Sequence, residues 1–344
     1  MAKLKEVAEK AGVSISTASI ILNGKAERHR ISPETTRKVL QAAGKLEYLT
    51  DIHSRTAKHG VSDVIAFVFP LSESHTQSTE FWMNILIGAN SEATKRNKDM
   101  IVIPIDNNPQ EAIDRIIRYY REGRIDSVII PGKFVPHFKA PPSFPVVFLG
   151  KPISQNIAPH IKLSFRHAYF EAIKHIVAKG KRNIMWLEQS NTLFSIERYT
   201  ILNQFAQAQG LKLTRLELKL KNTDTIVMDN GMNQLCEACE NNLEKIAQHD
   251  VIFCYNDILA SGLCRVATKN GYKIPDDFSI VGFDNLGSRF TSPRIATIDH
   301  KNIDIGAKAV SLIMRMTAST PTNMDEWRTT TEYVEADFIL GESL

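Results

Sequence analysis

From Val61 onward, short β-branched and aromatic runs alternate with amphipathic stretches of helical period, and no other feature constrains the fold as much. Apolar runs of this kind suit strands covered on both faces, and helices between them make the strands parallel. Strands are expected at 64–69, 100–103, 127–130, 146–149, 183–187, 251–254 and 279–283, with helices at about 81–97, 109–122, 166–179, 197–209, 231–245, 257–271 and 303–316. The fold class is α/β, with two doubly wound parallel sheets behind a small helical head. The prolines at 136, 141, 142 and 145 mark a loop rather than a linker.

Charge separates the two parts. Of 42 Lys and Arg and 38 Asp and Glu, residues 1–60 hold eleven and six, and residues 61–344 hold 31 and 32. A basic module on a near-neutral body is the electrostatic footprint of a nucleic-acid binder, because neutralised phosphates release counterions. At 43% hydrophobic and 23% charged, the composition is that of a globular protein. The first residues contain no apolar signal core, and no window approaches eighteen uninterrupted apolar residues, so a cytoplasmic protein is expected. Cys236, Cys239, Cys254 and Cys264 are expected to be reduced and buried. Cys236 and Cys239 form a C-x-x-C without a second pair, which favours structural thiols over a metal site. No metal or cofactor is expected: no phosphate loop, dinucleotide fingerprint, nucleophile elbow or H-E-x-x-H occurs.

Within the head, Leu4, Val7, Ala8 and Ala11 share one helix face, which Gly12 ends. Ser14 caps a second helix with Ala18, Ile21 and Leu22 on its core side; Ile15, Ser16, Ser19 and Ile20 take the solvent side. A third helix opens at Ser32-Pro33-Glu34-Thr35 with Val39, Leu40, Ala43 and Leu46 as its stripe. Two short helices around a tight turn are the helix-turn-helix, whose second helix enters the major groove; the competing reading is a helical hairpin with no groove to fill.

The run from Leu4 to Gly24 closely resembles the headpiece of the lac/gal repressor (LacI-type) family of bacterial transcriptional regulators. The likeness continues through Ile31-Ser32-Pro33-Glu34-Thr35 to Tyr48. It implies a helix-turn-helix domain at 1–48, a hinge at 49–60 and an effector-binding, dimerising core at 61–344. It makes Ile15, Ser16 and Ile20 the base readers, with Thr17, Ser19 and Asn23 on phosphates. Many relatives carry Arg where Ile20 stands, so a guanine contact at that base pair is not expected here, and contact with a thymine methyl is the physical alternative. Lys25, Arg28, His29 and Arg30 form a basic loop, either on phosphates or simply solvated. In the hinge, Arg55 keeps the family pattern, whereas Ala57 replaces the Leu that wedges open a base step.

The core resembles the same family, whose two-lobed fold is shared with periplasmic sugar-binding proteins. The likeness rests on 81–88, Glu197-Arg198, Gln209-Gly210-Leu211, the run from Tyr255 to Ala260 and the run from Ile274 to Asp284. It implies a first lobe at about 61–160 and 292–322, and a second at about 161–291 and 323–344. Arg198, Asn256 and Asp284 are then effector ligands; the last two follow predicted strands, where open α/β sheets bind ligands. The competing roles are helix capping for Asn256 and Asp284 and an ion pair for Arg198. Phe81 and Trp82 either stack on a sugar or pack in the core. Where relatives have Asp before Arg-Pro this chain has Gly150-Lys151-Pro152, and where they have Asp-Asn it has Ser164-Phe165; Lys151 with Arg198 suits an anionic sugar, or Lys151 simply faces solvent.

The expected function is that of a homodimeric repressor on a near-palindromic operator, controlled by a sugar or sugar phosphate and without enzymatic activity. A nucleoside or purine effector is the alternative within that class. The rival class is a cytosolic carbohydrate-binding protein or sugar enzyme with an accessory helical domain.

Overall fold

The computed structural model describes residues 2–22, 26–27, 29–46, 48, 62–70, 79–105, 108–132, 138–141, 143–150, 158–189, 193–220, 228–318, 327 and 329–344. Two compact units, Met1–Ser62 and Asp63–Leu344, make up the chain.

In the first unit, α1 (Leu4–Ala11), α2 (Ile15–Leu22) and α3 (Pro33–Lys45) share one core of Val7, Ala8, Ala18, Ile21, Val39, Ala42 and Ala43. Gly12 ends α1 in the left-handed region at φ 68°. The Ser14 hydroxyl accepts the Thr17 N–H at 3.0 Å, and Ser32 accepts the Thr35 N–H at 3.2 Å, so both following helices are capped by side chains. Leu40 departs from its expected place. It is 52% exposed and lines a groove with Ala26, Ile31 and Arg37, while Ala42 takes the core position, because Leu40 lies about 100° around the helix from Val39.

The second unit holds two six-stranded sheets. The first is built from β1 (Val64–Pro70), β2 (Asp99–Ile105), β3 (Ser127–Pro131), β4 (Val146–Leu149), β5 (His160–Ser164) and β11 (Thr331–Glu335), in the order β11-β5-β4-β3-β1-β2. The second uses β6 (Asn183–Glu188), β7 (Lys212–Glu217), β8 (Val251–Cys254), β9 (Ser279–Phe283), β10 (Ala296–Asp299) and β12 (Asp337–Ile339), in the order β12-β10-β9-β8-β6-β7. Every pairing is parallel except β10 with β12. Helices α4 (Thr79–Lys95) and α5 (Pro109–Arg121) flank the first sheet. Helices α6 (Arg166–Ala178), α7 (Leu193–Ala208), α8 (Met228–Glu240), α9 (Leu243–Ile246) and α10 (Asp257–Lys269) follow in the second lobe. Helix α11 (Asn302–Ala318) returns to the first, crossing α4 so closely that a Cβ at Gly88 or Gly306 would overlap the backbone of Ile303 or Ile85.

The lobe boundaries differ from those expected. Residues 161–164 belong to β5 of the first sheet, β10 joins the second sheet rather than the first lobe, and β11 joins the first sheet rather than the second lobe. The chain therefore passes between sheets three times, at 164–166, 299–302 and 335–337. These passages are tied together: the Ala336 N–H donates to the Ser164 carbonyl at 2.8 Å, and Lys301 pairs with Asp337 at 2.8 Å.

Cys239, Cys254 and Cys264 are buried in the second lobe's core and Cys236 packs against it. Burial pushes all four thiols up, Cys239 to about 12, which favours the neutral thiol over the nucleophilic thiolate. Among the described residues no cluster of His, Cys, Asp or Glu is arranged to hold a metal, and no helix is long and apolar enough to cross a membrane.

Candidate functional site

Two regions carry the sequence-expected site residues, and each is a property of its own unit. On the head, α2 buries Ala18 and Ile21 and turns the opposite side outward. Ile15 is 49% exposed, Ser16 is exposed, and Ser19 and Ile20 are half-buried. The Thr17 hydroxyl is bonded to Ser14 at 2.8 Å, which locks the start of the helix. His29 and Arg30 are exposed, with Arg30 at φ 53°; Tyr48 packs on the head core and donates its N–H to Ala43 at 2.9 Å. Asn23, Lys25, Arg28, Arg55 and Ala57 lie outside the described residues, as does Lys151 of the core.

In the core, β9 ends at Phe283 and delivers Asp284 to the space beside the second passage, where His300 follows β10. Asp284 Oδ1 lies 3.0 Å from His300 Nε2 and 3.5 Å from Arg198 Nη2. Arg198, from α7, donates to the Tyr255 carbonyl at 2.7 Å and lies over the Phe283 ring at 3.7 Å. The guanidinium is thus held on three sides by a carboxylate, a carbonyl and an aromatic face. All three polar side chains keep some access to solvent, at 11% for Arg198, 18% for Asp284 and 9% for His300. Such a trio offers two donors and an acceptor to vicinal hydroxyls.

The backbone here is strained, since Asp284 and Asn285 sit at φ 102° and 53°. Asp257 holds it. This carboxylate, 1% exposed at the start of α10, accepts the Leu286 N–H at 2.7 Å and the Thr297 hydroxyl at 2.6 Å. Burial drives its pKa well above the usual carboxylate range, with the Asp284 charge adding to the rise and the Thr297 hydroxyl opposing it. Gly282 is required beside it, because a Cβ there would overlap Oδ1. Asn285 adds a bond from Nδ2 to Asp299 at 3.1 Å.

The expected ligands divide. Arg198 and Asp284 come together. Asn256 uses Oδ1 to cap α10, accepting the Leu259 N–H at 2.9 Å, so only its Nδ2 can serve a ligand. Trp82 is 7% exposed and belongs to the core, whereas Phe81 is half-buried with its ring 5.2 Å from His300. Phe165, in the first passage, packs edge-on against Phe283 at 5.7 Å, an apolar fill in keeping with the missing polar pair at 164–165. His300, Asp257, Tyr255 and Phe283 were not singled out as ligands or supports. Asp257 sits beside Asn256 in a run already noted, but His300 depends on β10, which carries too short an apolar run to be read as a strand. The Tyr169 hydroxyl is buried beneath this site with no bonding partner among the described residues, and burial pushes its pKa up.

The sequence model for periplasmic binding proteins and the sugar binding domain of the LacI family matches residues 62–337, and that for bacterial regulatory proteins of the lacI family matches residues 3–51. The chain belongs to the LacI family. It is 26% identical over 327 residues to the HTH-type transcriptional repressor PurR of Mannheimia succiniciproducens, covering 92% of each chain. It is 25% identical to Catabolite control protein A of Priestia megaterium, covering 90% of this chain and 91% of that one. In structure it is similar to the lac repressor dimer bound to operator and the anti-inducer ONPF, with a TM-score of 0.77 at 18% identity over 99% and 98% of the chains. A cellobiose complex of the regulator CelR gives 0.64 at 18% identity over the whole of both chains. As a LacI-family protein, the chain is a DNA-binding transcriptional regulator with a helix-turn-helix head and a periplasmic-binding-protein-like core.

Proposed function

We propose that this LacI-family regulator is an effector-controlled repressor: a homodimer that binds a near-palindromic operator and releases or grips it in response to a small sugar or sugar phosphate. The observation that carries the effector reading is the Arg198–Asp284–His300 trio at the junction of the two lobes, on a backbone strained and then braced by Asp257. Hydroxyl-rich ligands match it, with Asp284 accepting and Arg198 and the Asn256 Nδ2 donating. Phe81 and Tyr255 supply apolar faces for a ring. The exposed Met83 and Ile87, one turn apart on α4, support the dimer, since such residues are covered at interfaces. A regulatory rather than enzymatic role is supported by the relatives, which are regulators.

Ligand that draws the lobes together shifts the equilibrium between core states, and effector and DNA then change each other's affinity by one reciprocal factor. A thermal-shift screen of sugars, sugar phosphates and nucleosides tests the effector class; a ligand at 100 times its dissociation constant adds about 2.7 kcal/mol of stability. Asp284→Asn should remove that response. An unchanged response in the variant sinks the assignment, and a response to nucleosides alone replaces sugar with base as the ligand. DNA binding that weakens with salt, and is lost when the chain starts at Ser62, is the expected result for the head.

A further inference from the structure

We infer that α2 selects its operator chiefly through thymine methyl groups, with Ile15 and Ile20 each packing on one in the major groove. The inference rests on the proposed reading that this helix enters the groove, and deepens it by naming what is read there. The eight residues of α2, Ile-Ser-Thr-Ala-Ser-Ile-Ile-Leu, contain no charged side chain and no amide. That removes every bidentate reader within the helix: Arg or Lys on guanine, Asn or Gln on adenine, Asp or Glu on cytosine. Hydroxyls remain, but they accept several bases. The one base feature left for unambiguous recognition is the C5-methyl of thymine, which suits an apolar side chain.

The helix presents such side chains where a ligand would meet them. At 3.6 residues per turn, Ile15, Ser19, Ser16 and Ile20 span a contiguous arc of about 140°, opposite the buried Ala18 and Ile21. Ile15 is 49% exposed at one end of this arc although α1 and α3 offer it a core on the other side. Ile20 lies at the other border. Five residues of rise separate the two by about 7.5 Å along the helix, roughly two base-pair steps of about 3.4 Å, and the arc of about 140° between them widens that spacing. Each half-site should therefore carry two thymines at least about two steps apart, on either strand, flanking positions read only loosely by Ser16.

The test begins with the full chain selecting duplexes from a randomised DNA library at low salt. In the selected operator, each thymine is then replaced singly by deoxyuridine, which removes the methyl and leaves base pairing intact. Two positions per half-site should each weaken binding about fourfold, the equivalent of about 0.8 kcal/mol for a buried methyl, and about fifteenfold when changed in both half-sites. Ile15→Ala should erase the uracil effect at one position and Ile20→Ala at the other; circular dichroism checks that α1 to α3 persist. If every uracil duplex binds within about 1.5-fold of its thymine parent, or if the losses persist in both alanine variants, the inference is wrong while DNA binding stands. If the chain selects no sequence at any salt concentration, the reading of the head as a DNA binder fails first.

Discussion

Asp257→Ala tests whether one buried carboxylate holds the cleft in its strained form. The substitution removes a side chain 1% exposed and leaves the buried Thr297 hydroxyl, at 2.6 Å, and the part-buried Leu286 N–H, at 2.7 Å, without their acceptor. An orphaned buried donor costs about 1–3 kcal/mol, so two would cost at most about 2–6 kcal/mol, less for the part-buried amide. The hydroxyl can rotate toward another acceptor and the amide cannot, which places the expected loss at about 2–4 kcal/mol. Urea unfolding followed by tryptophan fluorescence reads it, since Trp186 is buried in the second lobe's core. With a slope of about 2 kcal/mol per molar urea the midpoint should fall by about 1–2 M. Asp257→Asn should cost less, because its oxygen can still accept the Leu286 N–H while its amide donates to Thr297. A midpoint for the alanine variant within about 0.2 M of the parent would show that Asp284 and Asn285 are braced by something other than Asp257.

Gly88→Ala should destabilise the core by about 1–3 kcal/mol, read as a lower melting temperature, because the new methyl drives α4 off α11; Gly44→Ala, which meets open space on α3, should stabilise the head by up to about 1 kcal/mol. Burial raises the pKa of Asp250, but the N–H groups of Asn183 and Arg182, at 2.8 and 2.6 Å, outweigh it and hold the group below its usual value. Its contribution is then present above about pH 4, the unfolded value, and lost as pH falls through the lower folded value, so Asp250→Asn should flatten the decline of stability in an acid titration. Ser32→Ala should cost the head about 1 kcal/mol, seen as faster amide exchange at Thr35 and Thr36 with protection in α10 unchanged.

The sequence made the strands with unbroken apolar runs legible and hid the rest for a common reason. All seven expected strands are present, and the helices fall close to where their periods placed them, except that the single helix expected at 231–245 is divided into α8 and α9. The five that escaped are short or polar: β5 reads His-Ile-Lys-Leu-Ser, β7 reads Lys-Leu-Thr-Arg-Leu-Glu, and β11 and β12 lie at sheet edges, where one side faces water. Because β5, β10 and β11 went unread, the lobe boundaries were misplaced and His300 was missed with them. On the head, the caps at Ser14 and Ser32 were readable because capping is local chemistry. Leu40 was not, since Val39 and Leu40 are adjacent and only packing decides which of them faces the core. At the cleft, the Arg198 and Asp284 pair could be reached by resemblance, but no local pattern says that Asp257 braces the turn that carries Asp284.

The three passages between the sheets bear on how the core can move. Because each lobe is assembled from separated stretches of chain, no cut of the sequence yields one lobe as a continuous piece. Three tethers side by side, with the first bonded to the third and the second paired to it, also remove most sliding and twisting and leave rotation about a line through them as the easy motion. His300 belongs to one of those tethers, so a molecule that touches it sits almost on the axis of rotation. At such a place a displacement of a few tenths of an ångström becomes a much larger swing at the far edge of each lobe, as a door is moved from its hinge pin rather than its handle.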